Sequence, residues 1–224
     1  MVSSNWADTL LWTGGKALLF SLILTPVCRD LFRSYRVVDE PGEARKLHRL
    51  PIPRIGGIAV ALSYVLAFVV SRDPSAILRV ENTLIWRILP AVTVVFVVGL
   101  VDDLLGLKPW QKLLGQLVAA LLAFYAGVRI LHGVGYSWGM LWSFPLTLLW
   151  LMLCSNAFNL VDGMDGLAAG VGLFATLTIF VSALLEGNQP LALATLPLAA
   201  CLLGFLCFNF SPATVFLGDS GSLL

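Results

Sequence analysis

The sequence predicts an all-α integral membrane protein, a bundle of about seven transmembrane helices with its N-terminus outside. Its composition excludes a soluble globular domain: 58% of the 224 residues are hydrophobic and only 12% are charged, against roughly 25% charged in an ordinary soluble domain. Mean hydropathy is +0.90. Apolar runs of a length suited to a bilayer core about 30 Å thick recur along the chain. No linker or repeat separates them, so we expect residues 1–224 to form a single transmembrane domain.

The apolar runs define the predicted spans in chain order. They lie near residues 9–28, 55–71, 84–101, 112–128, 144–161, 166–185 and 190–210. The first run lacks a basic leading segment and a small-residue cleavage site, and Lys16 lies within it, so we expect a retained helix. The four cysteines lie in or beside apolar stretches and form no CxxC pair, which predicts buried thiols.

Basic residues are concentrated around the first connection between spans, and this sets the predicted orientation. The seven are Arg29, Arg33, Arg36, Arg45, Lys46, Arg49 and Arg54. By the positive-inside rule this connection is cytoplasmic. Alternation then puts the connections around 102–111, 156–166 and 211–222 on the same side. The formal net charge is only +1, so no overall basic field indicates a nucleic-acid partner.

Acidic residues end the third predicted span. Asp102 and Asp103 lie where the helix dipole is already negative, so two further negative charges are unfavourable there unless something compensates them. A solvated helix end is one interpretation of this pair. The other is a site for a cation or for the acid of a phosphate group.

Amide and carboxylate side chains recur every three residues in the segment SNAFNLVDGMDGLAAG. They are Asn156, Asn159, Asp162 and Asp165. Successive steps of three drift by about 60° around a helix, so these side chains gather on one side only if Gly163 and Gly166 end the helix. A simple helix C-cap needs a single amide or glycine, and the larger set therefore favours a ligand site.

A third polar block, GDSGS at residues 218–222, precedes the start of another apolar run. Asp219 or Ser220 is a candidate helix N-cap, and the free N–H groups of a helix N-terminus suit phosphate oxygens. Serine hydrolases contain a similar string, but no nucleophile-elbow strand and no partnered histidine surround it here.

These acidic blocks are predicted to lie at the same membrane face as the basic first connection. The arrangement suits a diphosphate and a divalent cation, since Arg and Lys bind phosphate oxygens and carboxylates bind hard cations. Without His or Cys clusters, the oxygen ligands favour Mg²⁺, with Mn²⁺ as an alternative, over zinc.

The same blocks resemble a known family, the polyprenyl-phosphate N-acetylhexosamine-1-phosphate transferases of glycosyltransferase family 4. They are RKLHRLPIPRIGG (45–57), GLVDDLLGLKPWQKLLGQ (99–116), NAFNLVDGMDGLAAG (156–170) and FNFSPATVFLGDSGSLL (208–224). The resemblance implies Mg²⁺-dependent transfer of a sugar 1-phosphate from a UDP-sugar to undecaprenyl or another polyprenyl phosphate, releasing UMP. It also implies a bacterial plasma-membrane enzyme of cell-envelope glycan synthesis with a cytoplasmic active site. We add a homodimer as an expectation.

Within that family, PIPRIGG resembles the branch that uses UDP-N-acetylglucosamine, because the muramoyl-pentapeptide branch usually has PTMGG there. Two departures qualify the resemblance. Gly106 stands where some members have a third aspartate, and the family's later histidine-bearing loop has no counterpart before Leu224. We therefore expect a chain truncated at its C-terminus.

The resemblance implies a role for each matching residue. The implied catalytic residues are Asp102, Asp103 and Lys112, and the implied metal ligands are Asp219 and Asp162. The implied substrate-binding residues are Lys46, His48, Arg54, Asn159, Gly163, Met164, Asp165 and Phe216, of which Gly163, Met164, Asp165 and Phe216 would form a uridine pocket. For Lys112, a lysine that extends to the membrane interface is the alternative.

Two rivals from other classes remain to be weighed. A secondary transporter for an anionic solute would also have many spans, but its charged site normally lies near the bilayer midplane on broken helices. A CDP-alcohol phosphotransferase has a motif that also opens with Asp-Gly, but the later spacings of that motif are missing here.

Overall fold

The computed structural model describes residues 3–35, 52–70, 83–130 and 137–224. Within these ranges the protein is helical, apart from turns and one isolated parallel β-bridge between Arg54 and Phe216. The predicted all-α class is confirmed. The described helices are α1 (Ser3–Ser34), α2 (Gly56–Val69), α3 (Thr83–Leu105), α4 (Pro109–Ala126), α5 (Ser137–Val161), α6 (Leu167–Leu185), α7 (Gln189–Asn209) and α8 (Asp219–Ser222).

Five of these described helices are long and apolar enough to cross a bilayer, namely α1, α3, α5, α6 and α7. The predicted count of seven is therefore too high by this criterion. The other two predicted spans form helices that do not meet this criterion of length and hydropathy. Helix α2 has only 14 residues, about 21 Å at 1.5 Å per residue. Helix α4 includes Gln111, Lys112 and Gln116, which lower its hydropathy.

Local sequence signals set the helix ends that matter for the site. Pro109 occupies the first turn of α4, where its missing N–H costs nothing. Helix α5 stops at Val161, and α6 begins after Gly166, whose φ of 72° suits glycine. The helix break predicted at Gly163 and Gly166 is thus present, and it frees the segment between the two helices to form a turn.

The helices pack in two groups. Helices α1, α2, α6 and α7 form the first group, and α3, α4 and α5 form the second. Small residues line the core of the first group, including Ala17, Ala59 and Cys201 around Phe205. The short helix α8 contacts α2 in the first group and α3 and α5 in the second. It therefore joins the two groups at the end of the bundle where the polar blocks lie.

Many large apolar side chains on the outer faces of the helices are exposed, including Trp12, Trp150 and Phe174. In a soluble protein this surface would be unfavourable, whereas lipid tails solvate it. Together with the five apolar helices, it makes the chain a multi-pass membrane protein. The four cysteines are unpaired, and Cys28 and Cys201 are buried as predicted, whereas Cys207 is exposed.

Candidate active site

The ends of α3, α4, α5 and α7 meet on one side of the bundle. The α3–α4 connection is short and turns at Gly106, whose φ is 66°. This hairpin sets the last turn of α3, with Asp102 and Asp103, beside the first turn of α4, with Lys112. Asn159 lies in the last turn of α5 and faces the same space. The segment after α7 returns through this space and ends in α8.

Asp219 lies at the centre of the polar cluster. One of its carboxylate oxygens accepts a hydrogen bond from Asn159 Nδ2 at 2.6 Å. The other pairs with the ammonium group of Lys112. Asn159 Nδ2 also donates to Ser222 Oγ at 2.9 Å, which ties both ends of α8 to α5. Burial, followed by the neighbouring carboxyl of Asp102, raises the pKa of Asp219 above its usual value.

Lys112 connects two of the acidic blocks. Its Nζ lies 2.9 Å from Asp102 Oδ2 and donates to Asn159 Oδ1 at 3.2 Å, in addition to its contact with Asp219. Its side chain is only 15% exposed. The ammonium group therefore lies inside the cluster and is not extended to the membrane interface, which removes the alternative interpretation of this lysine.

The structure separates the adjacent pair Asp102 and Asp103. Asp102 faces Lys112, and its other oxygen accepts the N–H of Leu107 at 2.6 Å. Asp103 accepts two successive backbone N–H groups, from Asp219 at 2.7 Å and from Ser220 at 2.8 Å. The two carboxylates therefore have different partners, a difference that adjacent positions in the sequence do not reveal.

Helix α8 begins differently from the N-cap predicted in the sequence. Gly218 precedes the helix, with a φ of 75°, and no side chain caps it. Asp219 is the first residue of α8, and its carboxylate points to Lys112 and Asn159. The free N–H groups of this turn are bound by Asp103, which takes the place of a local cap.

An extended segment brings Arg54 to the cluster. Phe216 N donates to Pro53 O at 2.9 Å, and Gly56 N donates to Phe216 O at 2.9 Å. These bonds align the residues before α2 with those before α8. The charge of Arg54 acts on Asp162, whose carboxylate also accepts the N–H of Gly218.

Asp162 follows the last residue of α5 and is largely buried. Burial, and next the negative charge of Asp219, raises its pKa to about 7. The Gly218 N–H and Arg54 oppose this rise but do not cancel it. A carboxyl group in this position is therefore favourably placed to receive positive charge from a ligand.

The turn between α5 and α6 contains the other predicted nucleotide-binding residues. Gly163, Met164 and Asp165 are exposed there, and Asp165 Oδ2 accepts the N–H of Ala213 at 3.1 Å. Asp165 thus links this turn to the segment that contains Phe216. The uridine pocket formed from these residues stays a prediction. Two further predicted substrate-binding residues, Lys46 and His48, lie outside the described residues.

One feature of the site was missed at the level of sequence. Gln116 is 3% exposed and exchanges hydrogen bonds with Asn156, one of them 2.7 Å long. This pair joins α4 to α5 one helical turn away from Lys112 and Asn159. The signal was present, because an amide four residues after a charged side chain lies on the same helix face.

The cluster suits a hard divalent cation by its donor chemistry. Carboxylate and amide oxygens from Asp162, Asp219 and Asn159 lie on one side of the bundle, and the ammonium group of Lys112 contacts Asp219 and Asn159. Within the described part of the chain, no three His, Cys, Asp or Glu side chains surround one point as metal ligands.

Comparison with known families decides the classification. The family model of glycosyl transferase family 4 matches residues 85–224, which include the α3–α4 hairpin, the α5–α6 turn and α8. The chain belongs to glycosyl transferase family 4. The matched part of this family member thus contains all the described polar cluster except Arg54.

Several curated relatives are similar over nearly the whole chain. A probable undecaprenyl-phosphate N-acetylglucosaminyl 1-phosphate transferase of Bacillus subtilis is 34% identical over 92% of this chain and 57% of its own length. A decaprenyl-phosphate N-acetylglucosaminephosphotransferase of Mycobacterium tuberculosis is 35% identical over 94% of this chain and 56% of its own. A phospho-N-acetylmuramoyl-pentapeptide-transferase of Moorella thermoacetica is 34% identical, with coverages of 92% and 69%. The chain therefore spans little more than half the length of the first two.

Proposed function

We propose that this protein transfers N-acetylglucosamine 1-phosphate from UDP-N-acetylglucosamine to undecaprenyl phosphate or another polyprenyl phosphate, giving a polyprenyl-diphosphate sugar and UMP. The observation that carries the proposal is the cluster of Asp102, Lys112, Asn159 and Asp219 at one end of apolar helices. A lipid phosphate sits at the membrane surface, so a site that uses it must lie where spans end. Relatives named for undecaprenyl-phosphate and decaprenyl-phosphate substrates support the acceptor class.

In the proposed reaction, an oxygen of the lipid phosphate attacks the β-phosphorus of the UDP-sugar. The bond from that phosphorus to the bridging oxygen breaks, and UMP leaves with that oxygen. Both reactants are anionic, so they must be neutralised and aligned before they can react. Of the adjacent pair Asp102 and Asp103, one carboxylate orients or deprotonates the lipid phosphate. Lys112 holds this acidic region together and offers its positive charge to the phosphates.

Mg²⁺, with Mn²⁺ as a substitute, is the proposed cofactor. Asp219 and Asp162 would hold it, supported by Asn159. When bound, the cation would neutralise charge on the diphosphate. The raised pKa values of Asp162 and Asp219 support this assignment, because two partly buried carboxyl groups whose negative charges repel each other gain from a nearby positive charge.

The remaining proposed contacts concern the nucleotide and the phosphates. Gly163, Met164, Asp165 and Phe216 would contact uridine, and Arg54, with Lys46 and His48, would contact phosphate oxygens. We place the site on the cytoplasmic face of the bacterial plasma membrane, because it shares an end of the bundle with the basic residues of α1 and Arg54.

The second candidate is the muramoyl-pentapeptide branch of the same family. It is favoured by the relative from Moorella thermoacetica, whose identity to this chain equals that of the relative from Bacillus subtilis. The PIPRIGG sequence, which leads into α2, supports UDP-N-acetylglucosamine over this alternative. A transporter is disfavoured, because the charged side chains gather at helix ends and not near the middle of the spans.

The test is a transfer assay in membranes that contain the protein at its natural length. Radiolabelled UDP-N-acetylglucosamine and undecaprenyl phosphate should give a labelled lipid in the presence of Mg²⁺. Asp219→Asn should lower the rate by more than about tenfold, or about 1.4 kcal/mol of barrier. Asp8→Asn, an exposed carboxylate at the opposite end of α1, is the matched control.

Two outcomes would contradict the proposal. Labelled lipid from UDP-N-acetylmuramoyl-pentapeptide alone would favour the second candidate. If Asp219→Asn kept more than about a tenth of the wild-type rate at saturating Mg²⁺, Asp219 would not be a metal ligand on which the reaction depends.

A further inference from the structure

Both carboxylate oxygens of Asp103 accept hydrogen bonds from the backbone of α8. We propose that Asp103 is a positioning residue that fixes the first turn of α8 and thereby holds Asp219 in place. The inference rests on the proposed function, since it assigns a separate task to one of two carboxylates that the family resemblance treats as a pair. The proposed role at the lipid phosphate then falls to Asp102 alone.

The hydrogen bonds of Asp103 carry this inference. Its Oδ1 accepts the N–H of Asp219 at 2.7 Å, and its Oδ2 accepts the N–H of Ser220 at 2.8 Å. These donors belong to the first two residues of α8, and such N–H groups have no partner within their own helix. A carboxylate at this position also complements the positive end of the turn. Both oxygens of Asp103 are therefore used to hold backbone.

Glycines next to Asp103 show how closely the turn is held. A Cβ atom on Gly218 would lie 2.8 Å from Asp103 Oδ2 and 2.7 Å from Arg54 O. A Cβ atom on Gly99 would lie 2.6 Å from the carbonyl carbon of Asp219. Gly99 and Asp103 are four residues apart, so α3 presents both to α8 on one face. The backbone of Asp219 is therefore constrained by close packing at Gly99 and Gly218 and by its hydrogen bond to Asp103.

Asp102 offers the matched comparison. It has the same side chain on the same helix turn, but it pairs with Lys112 Nζ at 2.9 Å and accepts the N–H of Leu107. Asp102 meets α8 through the side chain of Asp219, whereas the backbone N–H groups of Asp219 and Ser220 are bound by Asp103. If the two aspartates shared one role, replacing either with asparagine would have the same consequences. If Asp103 acts through Asp219, the consequences differ in kind.

The first experiment measures amide hydrogen exchange by mass spectrometry in the detergent-solubilised full chain, without cation or substrate. Asp103→Asn leaves one acceptor for two N–H groups, so exchange in peptides covering residues 218–222 should quicken by about tenfold or more. Asp102→Asn should leave those peptides within about threefold of wild type. Peptides from α7 report whether the rest of the bundle remains folded. If Asp103→Asn quickens exchange throughout α7, Asp103→Glu replaces it, with the same expectation for residues 218–222.

The second experiment measures transfer as a function of Mn²⁺ concentration. Asp103→Asn should raise the Mn²⁺ concentration for half-maximal rate by about fivefold or more, because Asp219 is displaced. Asp102→Asn should lower the maximal rate and leave that concentration within about twofold of wild type. A wild-type protein that transfers no sugar phosphate would contradict the proposed function, while the exchange experiment would still decide the role of Asp103. Unchanged exchange in Asp103→Asn, equal exchange in the two variants, or a lower maximal rate with no Mn²⁺ shift would overturn the inference.

Discussion

Lys112 is the side chain that holds the polar cluster together. Its ammonium group contacts the carboxylates of Asp102 and Asp219 and the amide oxygen of Asn159. These contacts join α3, α4, α5 and α8, with side-chain exposures of 15% for the lysine and 13% and 26% for the two aspartates. Removing the positive charge would leave two negative groups facing each other with little water between them.

We therefore expect Lys112→Met to abolish transfer and to destabilise the protein by about 3 kcal/mol, as for other ion pairs that lose one partner. Methionine keeps most of the length of the stem, so packing changes little. Lys108→Met, at an exposed position one turn earlier, is the matched control and should behave as wild type. Thermal unfolding in detergent and the transfer assay measure the two effects. Equal melting temperatures for both variants would contradict this role of Lys112.

Asp165 illustrates how a hydrogen bond refines a predicted role. The family resemblance assigns it to the nucleotide, and the structure adds a bond of 3.1 Å from Ala213 N to Asp165 Oδ2. That bond ties the α5–α6 turn to the segment 210–218. At the proposed nucleotide site, the carboxylate would therefore act through the shape of the loop as well as through direct contact.

Two substitutions test the hydrogen-bond acceptor at Asp165. Asp165→Ala should weaken UMP binding by about tenfold or more, since it removes the acceptor, whereas Asp165→Asn keeps an oxygen for Ala213 and should stay within about threefold of wild type. Asp102→Asn should leave UMP affinity largely unchanged, because its proposed partner is the lipid phosphate. Calorimetric titration of UMP measures all three. Equal losses in Asp165→Ala and Asp102→Asn would mean that the two positions belong to one network.

The sequence identified the polar residues of the site better than it identified their partners. Asp102, Lys112, Asn159 and Asp219 were all singled out, and they do meet. The difference between Asp102 and Asp103 could not be predicted, because adjacent helix residues point about 100° apart and only packing decides which neighbour each one meets. The position of α8 could not be predicted either, because it depends on contacts with residues that are distant in the sequence.

At the scale of elements, α8 packs closely against glycines of the neighbouring helices α2 and α3. A Cβ atom on Gly57 of α2 would lie 2.6 Å from the carbonyl carbon of Ser220, and one on Gly99 of α3 would lie 2.6 Å from that of Asp219. Such distances are too short for non-bonded carbon atoms. The neighbouring backbone atoms belong to a turn already bonded to Asp103, so it cannot move aside without breaking those bonds.

Gly99→Ala should therefore displace Asp219, lower transfer by about tenfold or more, and lower the melting temperature. Gly170→Ala in α6 is the control, because nothing lies within 4 Å of the added carbon. The gain in helix propensity there, about 1 kcal/mol, should leave that variant as stable as wild type or more stable. Wild-type activity and melting temperature in Gly99→Ala would show that α8 is free to shift.

Helix lengths show what hydropathy alone could and could not predict. The runs predicted at 55–71 and 166–185 correspond closely to α2 and α6. Hydropathy does not distinguish a span from a shorter buried helix, and α2 has 14 residues with a core-facing side that includes Gly57, Ala59 and Ser63. The end of α2 is bound by a distant side chain, as Lys16 Nζ donates to Val70 O at 2.9 Å. That contact gives Lys16 a polar partner within the apolar central part of α1.

At the scale of the whole molecule, the site shares one end of the bundle with Arg33 and Arg54, two of the basic residues of the first connection. Arg33 lies in the last turn of α1, and Arg54 lies beside the segment that leads to α8. Helices α3 and α5 end at this side, and α4 and α6 begin there. Basic residues favour the cytoplasmic side of a membrane. The orientation of the whole chain therefore decides which compartment would supply the proposed nucleotide substrate.

Cysteine labelling tests this orientation in intact cells. Ser34→Cys, at the basic end of α1, should resist a membrane-impermeant maleimide added outside and should react after the membrane is permeabilised. Gln189→Cys, exposed at the start of α7 and at the opposite end, should react without permeabilisation. Mass spectrometry of the labelled peptides distinguishes both sites from the native cysteines. Labelling of Ser34→Cys from outside would place the basic residues and the acidic cluster on the external face, where cytoplasmic UDP-sugars do not reach them.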